Sequence, residues 1–135
     1  MEKRFFEYLT FDERVDCLAL GVLAKHPADT TLVPRGSMER ALHVILAGKA
    51  EVRRADGCRL ALLGEGDVFG EMAFIQGSSA SADVVATADV QLLTLSEAQV
   101  ESLFKQRPGL AAGLYRSLAA ELARRLRKTS DGFRP

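Results

Sequence analysis

The first part of the chain carries apolar side chains at helical spacing. In residues 11–25 they recur three and four positions apart, which predicts a helix with Asp12 as its cap. The apolar positions of this predicted helix are Val15, Leu18, Ala19, Val22 and Leu23.

The middle of the chain has a different pattern of short apolar runs separated by glycine-containing turns. This pattern is typical of short strands joined by tight connections. Asp56-Gly57 is a hairpin signal, because both residue types tolerate a positive φ. The predicted strands include residues 42–46, 50–52, 58–63, 84–86 and 90–95.

Helical spacing returns after residue 95. Ser96 and Gln99 form a capping-box pattern that predicts a short helix ending before Pro108. A second helix is expected from about Gly109 to Lys128. An apolar stripe on this helix either packs on its own domain or pairs with a second copy of the chain, and the sequence leaves both interpretations open. The stripe comprises Leu110, Leu114, Leu118, Leu122 and Leu126, flanked by Ala111, Ala119 and Ala123.

This order of elements predicts an α+β fold. We expect an antiparallel β-barrel or jelly roll flanked by an N-terminal helix and C-terminal helices. Residues 1–135 are interpreted as a single domain, because 135 residues suit one hydrophobic core. Its expected parts are helical residues 1–25, a β-barrel over 26–95, helices over 96–128 and a tail over 129–135.

Charge and cysteine usage narrow the function classes. Eighteen basic residues balance eighteen acidic ones, so the overall basic charge of a nucleic-acid binder is lacking. Basic residues near the end of the last helix either form a patch for nucleic acid or an acidic partner, or lie on a solvated face where cations favour the helix C-terminus. We favour the second interpretation. No signal peptide or membrane span is visible, and two cysteines suggest no disulfide framework, so we expect a reduced, cytoplasmic chain. The basic residues are Arg116, Arg124, Arg125, Arg127 and Lys128.

Catalytic and metal-binding patterns are not apparent. The sequence has no nucleophile elbow and no Walker loop. His26 and His43 lie seventeen positions apart, whereas a metal-dependent cupin-like enzyme on a similar barrel needs clustered ligands. We therefore expect no enzyme activity, no metal and no bound cofactor.

Residues 64–75, GEGDVFGEMAFI, followed by residues 79–84, SASADV, carry a resemblance to a known family. They resemble the phosphate-binding cassette of cyclic-nucleotide-binding domains, as found in the sensory half of the catabolite activator family. Residues 35–37 and 46–52 resemble the first strands of that family. Residues 123–126 and 129–130 resemble the activator's long helix. The resemblance covers nearly the whole chain. It concerns the sensory domain of that family and not the family's DNA-binding domain.

The resemblance implies a ligand site in residues 69–82, here called the cassette. Backbone N–H groups of Gly70, Met72 and Ala73 would hold a cyclic phosphate. Glu71 would accept a hydrogen bond from the ribose 2′-hydroxyl, and Ser81 would donate one to the phosphate. The cassette residues singled out in this way are Phe69, Gly70, Glu71, Met72, Ala73, Ala80, Ser81 and Ala82.

One departure from the family pattern concerns the phosphate. The family's phosphate-pairing arginine maps to Ala80. A hydrogen bond to a charged group contributes roughly 1.5–3 kcal/mol. We therefore expect cyclic AMP or cyclic GMP to bind with an affinity lowered roughly ten- to a hundredfold, unless another cation takes over. The candidates for that role are Arg35, Arg53, Arg54 and Arg59.

The resemblance also suggests a dimer and a regulatory role. Thr129 and Ser130 match a pair that contacts the base, with one residue coming from the partner subunit, so the last helix would form a homodimer. Seven residues after Lys128 are too few for a helix-turn-helix, so direct DNA binding is not expected. The predicted function is a ligand-binding regulatory module. The alternative is a degenerate fold used for interaction or oligomerisation, which an inward-facing Asp83 would favour.

Overall fold

The computed structural model describes the backbone of residues 5–132 and the side chains of residues 5–127. The helices in this part of the chain are Phe11–Leu20 (α1), Glu71–Gln76 (α2), Glu97–Gln106 (α3) and Leu110–Gly132 (α4). The strands are Val22–His26 (β1), Thr31–Val33 (β2), Ala41–Ala47 (β3), Ala50–Arg53 (β4), Arg59–Leu63 (β5), Val68–Phe69 (β6), Asp83–Ala86 (β7) and Val90–Ser96 (β8).

The strands form two four-stranded antiparallel sheets. One has the order β1-β8-β3-β6 and the other the order β2-β7-β4-β5. Buried residues of both sheets meet in a shared cluster that includes Ile45 and Leu92 from the first sheet and Ala50 and Val84 from the second. The predicted α+β jelly-roll class is confirmed, as two packed sheets with flanking helices and not as a closed barrel.

Strand β3 is buried over residues 41–45 because its sheet is covered on both faces. Leu42 and Val44 pack in a cluster with residues of the helices, such as Leu114. Ile45 belongs to the cluster between the two sheets. A strand covered on both faces carries apolar side chains on both sides, which explains why residues 42–46 are apolar except for His43.

The predicted helix over residues 11–25 is too long. Helix α1 starts at Phe11, as predicted, but its N-cap is Thr10 and not Asp12, because Thr10 and Glu13 form a complete capping box. It ends at Leu20, and the following Gly21 has an extended backbone conformation. Val22 and Leu23 belong to β1, which pairs with β8. His26 is the last residue of this strand.

Two further boundaries differ from the prediction. In the connection between β4 and β5, Gly57 has a φ of +84° but Asp56 is not among the positive-φ residues. The Gly57 N–H donates a 2.9 Å bond to the Arg54 carbonyl, and the Arg54 N–H donates a 2.9 Å bond to the Cys58 carbonyl. Residues 54 and 58 are therefore paired, and the loop of residues 55–57 is one residue longer than a two-residue hairpin turn. Helix α4 continues to Gly132, beyond the expected tail boundary at residue 129.

The leucine stripe of α4 divides into two parts. Leu110, Leu114 and Leu118 are at most 1% exposed and belong to the core beside the first sheet. Leu126, near the other end of the helix, is 69% exposed. The first part of the stripe therefore packs on its own domain, and the second part leaves an apolar side chain facing solvent.

The two cysteines are free thiols in different environments. Cys17 is buried on α1, and this burial raises the pKa of its thiol to about 11. Cys58 is exposed beside the 54–57 turn. In the described part of the chain, no helix has both the length and the apolar character needed to cross a membrane.

Candidate functional site

The cassette begins with a turn that requires glycine. Gly70 has a φ of +85° and caps the short helix α2. A Cβ atom at this position would lie 2.6 Å from the Ala41 carbonyl oxygen, which belongs to the backbone of β3. Glycine thus allows the cassette backbone to approach β3 closely.

Glu71 is a buried carboxylate at the start of α2. It is 3% exposed, and its Oε1 atom accepts a hydrogen bond from Nη1 of Arg125 on α4. Nη2 of Arg125 donates to the Val68 carbonyl of β6. Burial raises the pKa of Glu71, and the nearby Arg125 guanidinium opposes that rise. The other carboxylate oxygen, Oε2, is buried and makes no hydrogen bond within the described residues.

A chain of charges extends from this pair along α4. Glu121 is 5% exposed and lies 3.7 Å from Arg125, measured from Oε1 to Nη2. Its other oxygen accepts a 3.0 Å hydrogen bond from Arg124. Arg124 in turn donates a 2.6 Å bond to Glu7 in the N-terminal segment. The network therefore connects the cassette with the last helix and the chain start.

The far end of the cassette is fixed by the turn before β3. The Gly36 N–H donates to the Ala80 carbonyl at 2.8 Å, and the Ala80 N–H donates to the Ser37 carbonyl at 2.9 Å. Oδ1 of Asp83 accepts a 2.6 Å bond from the Arg35 N–H. Asp83 is thus half-buried against this turn.

His43 packs beneath the cassette. Its ring stacks on Phe69 with 4.9 Å between centroids and 19° between planes. Nδ1 lies 2.9 Å from the Thr94 hydroxyl, and Nε2 lies 2.9 Å from Oε1 of Glu39. Burial lowers the pKa of His43, although Glu39 acts in the opposite direction. The neutral ring fits these partners with Nε2–H donating to Glu39 and Nδ1 accepting from Thr94.

Arg40 ties the end of α2 to α3. Its Nη2 donates to the Phe74 carbonyl at 3.1 Å, and its Nε lies 2.9 Å from Oε2 of Glu97. Glu97 is the first residue of α3, and its N–H donates to the Arg40 carbonyl at 3.2 Å. A displacement of α2 would therefore act on the start of the C-terminal helices.

The predicted site residues fall into three groups. The first contains positions that reach the cassette surface, namely Gly70, Met72, Ala80 and Ser81. The second consists of buried side chains: Phe69 at 2%, Glu71 at 3%, Ala73 at 9% and Ala82 at 8% exposed. The third is Thr129 and Ser130, whose side chains lie outside the described residues.

The candidate replacement cations are engaged to different degrees. Arg53 pairs with Glu51 at 2.9 Å, and Arg59 lies 3.7 Å from the same carboxylate. Arg54 pairs with Asp56 at 2.7 Å. Within residues 5–127, Arg35 has no side-chain ion pair or hydrogen bond, and it is exposed.

The interpretation of the basic helix end as a solvated face is wrong for Arg124 and Arg125. Glu7, Glu121 and Glu71 hold these two side chains in ion pairs. Arg116 is exposed, and its guanidinium lies 4.0 Å from the ring centroid of Tyr8. The four-residue spacing of Glu121 and Arg125 was the available signal for part of this network.

Other possible sites are separate from the cassette. Among the described residues, no group of three or more His, Cys, Asp or Glu side chains is placed to hold a metal ion. A surface depression of about 510 Å³ lies at the opposite end of β3 from Gly70. It is lined by Lys25, His26, Pro27, Ala47, Asp89, Val90 and Gln91.

Comparison with known proteins gives three informative matches. The cyclic AMP receptor protein of Thermus thermophilus is 35% identical over 122 residues, which cover 86% of this chain and 54% of the receptor. The Pycsar effector protein XpPycTIR of Xanthomonas perforans is 38% identical over 110 residues, covering 81% of this chain and 35% of the effector. The crystal structure of a cyclic nucleotide-binding domain from Methylobacillus flagellatus matches with a TM-score of 0.86 at 26% identity, covering 93% of this chain and 72% of that one.

The chain spans about half of the receptor and about a third of the effector. The matching family model is described as a cyclic nucleotide-binding domain, and it matches residues 23–107. This range includes both sheets, the cassette and α3. With more than half of its length matched, the chain belongs to the cyclic nucleotide-binding domain family.

Proposed function

We propose that this domain binds a cyclic nucleotide in the cassette and relays its presence to α4. The observation that carries the proposal is the Oε2 atom of Glu71, which is buried and lacks a hydrogen-bond partner among the described residues. A buried unpaired oxygen is costly unless a donor reaches it. A ribose 2′-hydroxyl is such a donor, and it would arrive beside the first N–H groups of α2.

The relay runs through Arg125. This residue holds the carboxylate of Glu71 and the carbonyl of Val68 at the same time, so it joins α4 to both ends of the β6–α2 connection. A ligand hydroxyl at Glu71 would change the charge environment of Arg125. Arg40 offers a second connection, from the end of α2 to α3. A ligand in the cassette would thereby shift the equilibrium between different positions of α4.

The test is calorimetry with cyclic AMP and its 2′-deoxy analogue. We expect the wild-type domain to bind the ribose form roughly tenfold more tightly, in keeping with a hydrogen bond to a charged acceptor. Glu71→Gln should reduce this preference, because its neutral amide is a weaker acceptor. Glu65→Gln changes an exposed carboxylate in the turn before β6 and serves as the matched control. Equal binding of both nucleotides by the wild-type domain would contradict the role of Glu71.

A second candidate function is oligomerisation through α4. It is favoured by the exposed apolar side chain of Leu126, which lies one turn beyond the half-buried Leu122. Met72 on α2 is also 54% exposed. We expect light scattering at micromolar concentration to give the mass of a homodimer, with Leu126→Gln shifting the chain toward the monomer. A monomeric mass for the wild-type chain would contradict this expectation.

A further inference from the structure

Ala80 leaves the cassette without a cation at the position nearest to the turn before β3. The cations around this part of the second sheet are mostly neutralised by their own carboxylates. Arg53 and Arg59 share Glu51, and Arg54 pairs with Asp56. An anionic ligand would therefore gain little from them, because each is already engaged with a carboxylate.

Arg35 differs from these residues in both position and pairing. It lies in the turn formed by residues 34–37, which is closed by a 3.0 Å bond from the Ser37 N–H to the Pro34 carbonyl. Gly36 follows with a φ of +87°, as a type II turn requires at its third position. The turn thus presents Arg35 at its tip, next to the residue that pairs with Ala80.

Two reciprocal hydrogen bonds fix this turn against the cassette. They run from the Gly36 N–H to the Ala80 carbonyl and from the Ala80 N–H to the Ser37 carbonyl, at 2.8 and 2.9 Å. The 2.6 Å bond from the Arg35 N–H to Asp83 fixes the backbone of Arg35 itself. Neighbouring paired backbones lie about 5 Å apart, a distance that an arginine side chain readily spans.

We propose that Arg35 supplies the cationic contact to the phosphate of a ligand in the cassette, from the neighbouring turn and in place of a residue at position 80. The inference rests on the proposed function. Arg35 is exposed, and its side chain has no partner within residues 5–127. Asp83 is the opposing charge at this site, and its Oδ1 is directed at the Arg35 backbone N–H. The Arg35 guanidinium therefore also offsets the repulsion between Asp83 and a phosphate.

The test compares variants that carry the arginine at position 35, at position 80 or at neither. Calorimetry measures their affinity for cyclic AMP and cyclic GMP. Arg35→Ala should weaken binding roughly tenfold or more, as expected for loss of a charge-assisted contact. The double variant Arg35→Ala with Ala80→Arg should restore binding to the wild-type level or above. Arg54→Ala removes an exposed cation that is paired with Asp56, so it should leave the affinity unchanged.

The outcomes separate this inference from the proposed function. If the wild-type domain binds and Arg35→Ala binds within twofold of it, Arg35 is not the phosphate contact although the domain is a sensor. If only variants carrying Ala80→Arg bind, the pocket is competent but Arg35 fails to supply the charge. If neither the wild-type domain nor Ala80→Arg binds at millimolar ligand, the proposed function itself is wrong.

Discussion

Replacing Arg125 with alanine should lower the free energy of unfolding by about 2–3 kcal/mol. The change leaves the carboxylate of Glu71 buried without its cation, and breaking a buried ion pair from one side costs about 3–5 kcal/mol. The Arg125 side chain is 25% exposed, which places the expected value below that range. Urea denaturation followed by circular dichroism measures the difference.

The loss of stability in Arg125→Ala should depend on pH, because burial raises the pKa of Glu71 and Arg125 opposes that rise. Without Arg125, the pKa of Glu71 in the folded state rises further above its unfolded value. A raised carboxyl pKa favours the folded state at low pH, and this contribution is lost as the pH rises through the folded pKa. Arg125→Ala should therefore be most destabilised at pH 8 and less so near pH 5.

Two further variants test whether the lower stability of Arg125→Ala comes from the lost contact with Glu71. Arg127→Ala removes an exposed arginine two positions along the same helix and should change stability by less than about 0.5 kcal/mol. Adding Glu71→Gln to Arg125→Ala should recover part of the lost stability, because no buried charge then remains. Equal stabilities of Arg125→Ala and Arg127→Ala would show that the contact with Glu71 does not hold α4 to the cassette.

Introducing arginine at position 80 of the Arg35→Ala variant should tighten cyclic nucleotide binding roughly ten- to a hundredfold. The gain corresponds to the roughly 1.5–3 kcal/mol of a hydrogen bond to a charged group. The backbone of Ala80 is held by the turn at residues 36–37, so the new side chain would start from a fixed position. Calorimetry with cyclic AMP and cyclic GMP compares the double variant with Arg35→Ala. In the wild-type domain the gain should be smaller, because Arg35 already contacts the phosphate.

The matched control is Ser79→Arg in the same Arg35→Ala background, which adds the same charge one position earlier in an exposed part of the cassette. It should increase the affinity by far less than Ala80→Arg, because a nonspecific charge effect is screened by salt. If both additions increase the affinity equally, the effect comes from net charge and not from a site at position 80. No gain from Ala80→Arg in this background would mean that the cassette does not hold a phosphate at this end.

The sequence predicted those parts of the fold that depend on local patterns. The largely apolar run of β3 and the capping box at Ser96 both identified their elements correctly. Strand β1 was missed because Val22 and Leu23 also fit the helical spacing of α1. Gly21 ends that helix, and pairing with β8 decides the conformation of the following residues. Such pairing joins positions about seventy residues apart, so it leaves no local signal.

The candidate site was predictable only in its outline. The sequence identified Glu71 and the absence of a cation at Ala80 through the family resemblance. It did not reveal that Arg125, 54 positions away, pairs with Glu71. It also grouped Arg35 with three other arginines that the structure places in ion pairs. Contacts of this kind depend on how the sheets and helices pack, which spacing alone does not encode.

Binding of a cyclic nucleotide in the cassette is best tested by an amide chemical-shift titration. A ¹⁵N-labelled chain of 14.7 kDa is small enough for residue-resolved spectra. With cyclic AMP or cyclic GMP, we predict the largest shifts at residues 70–73 and 79–82, with smaller ones along α4. The amide signals of Lys25 and His26 in the separate depression should remain unchanged. Shifts confined to that depression, or no shifts at millimolar nucleotide, would contradict the account.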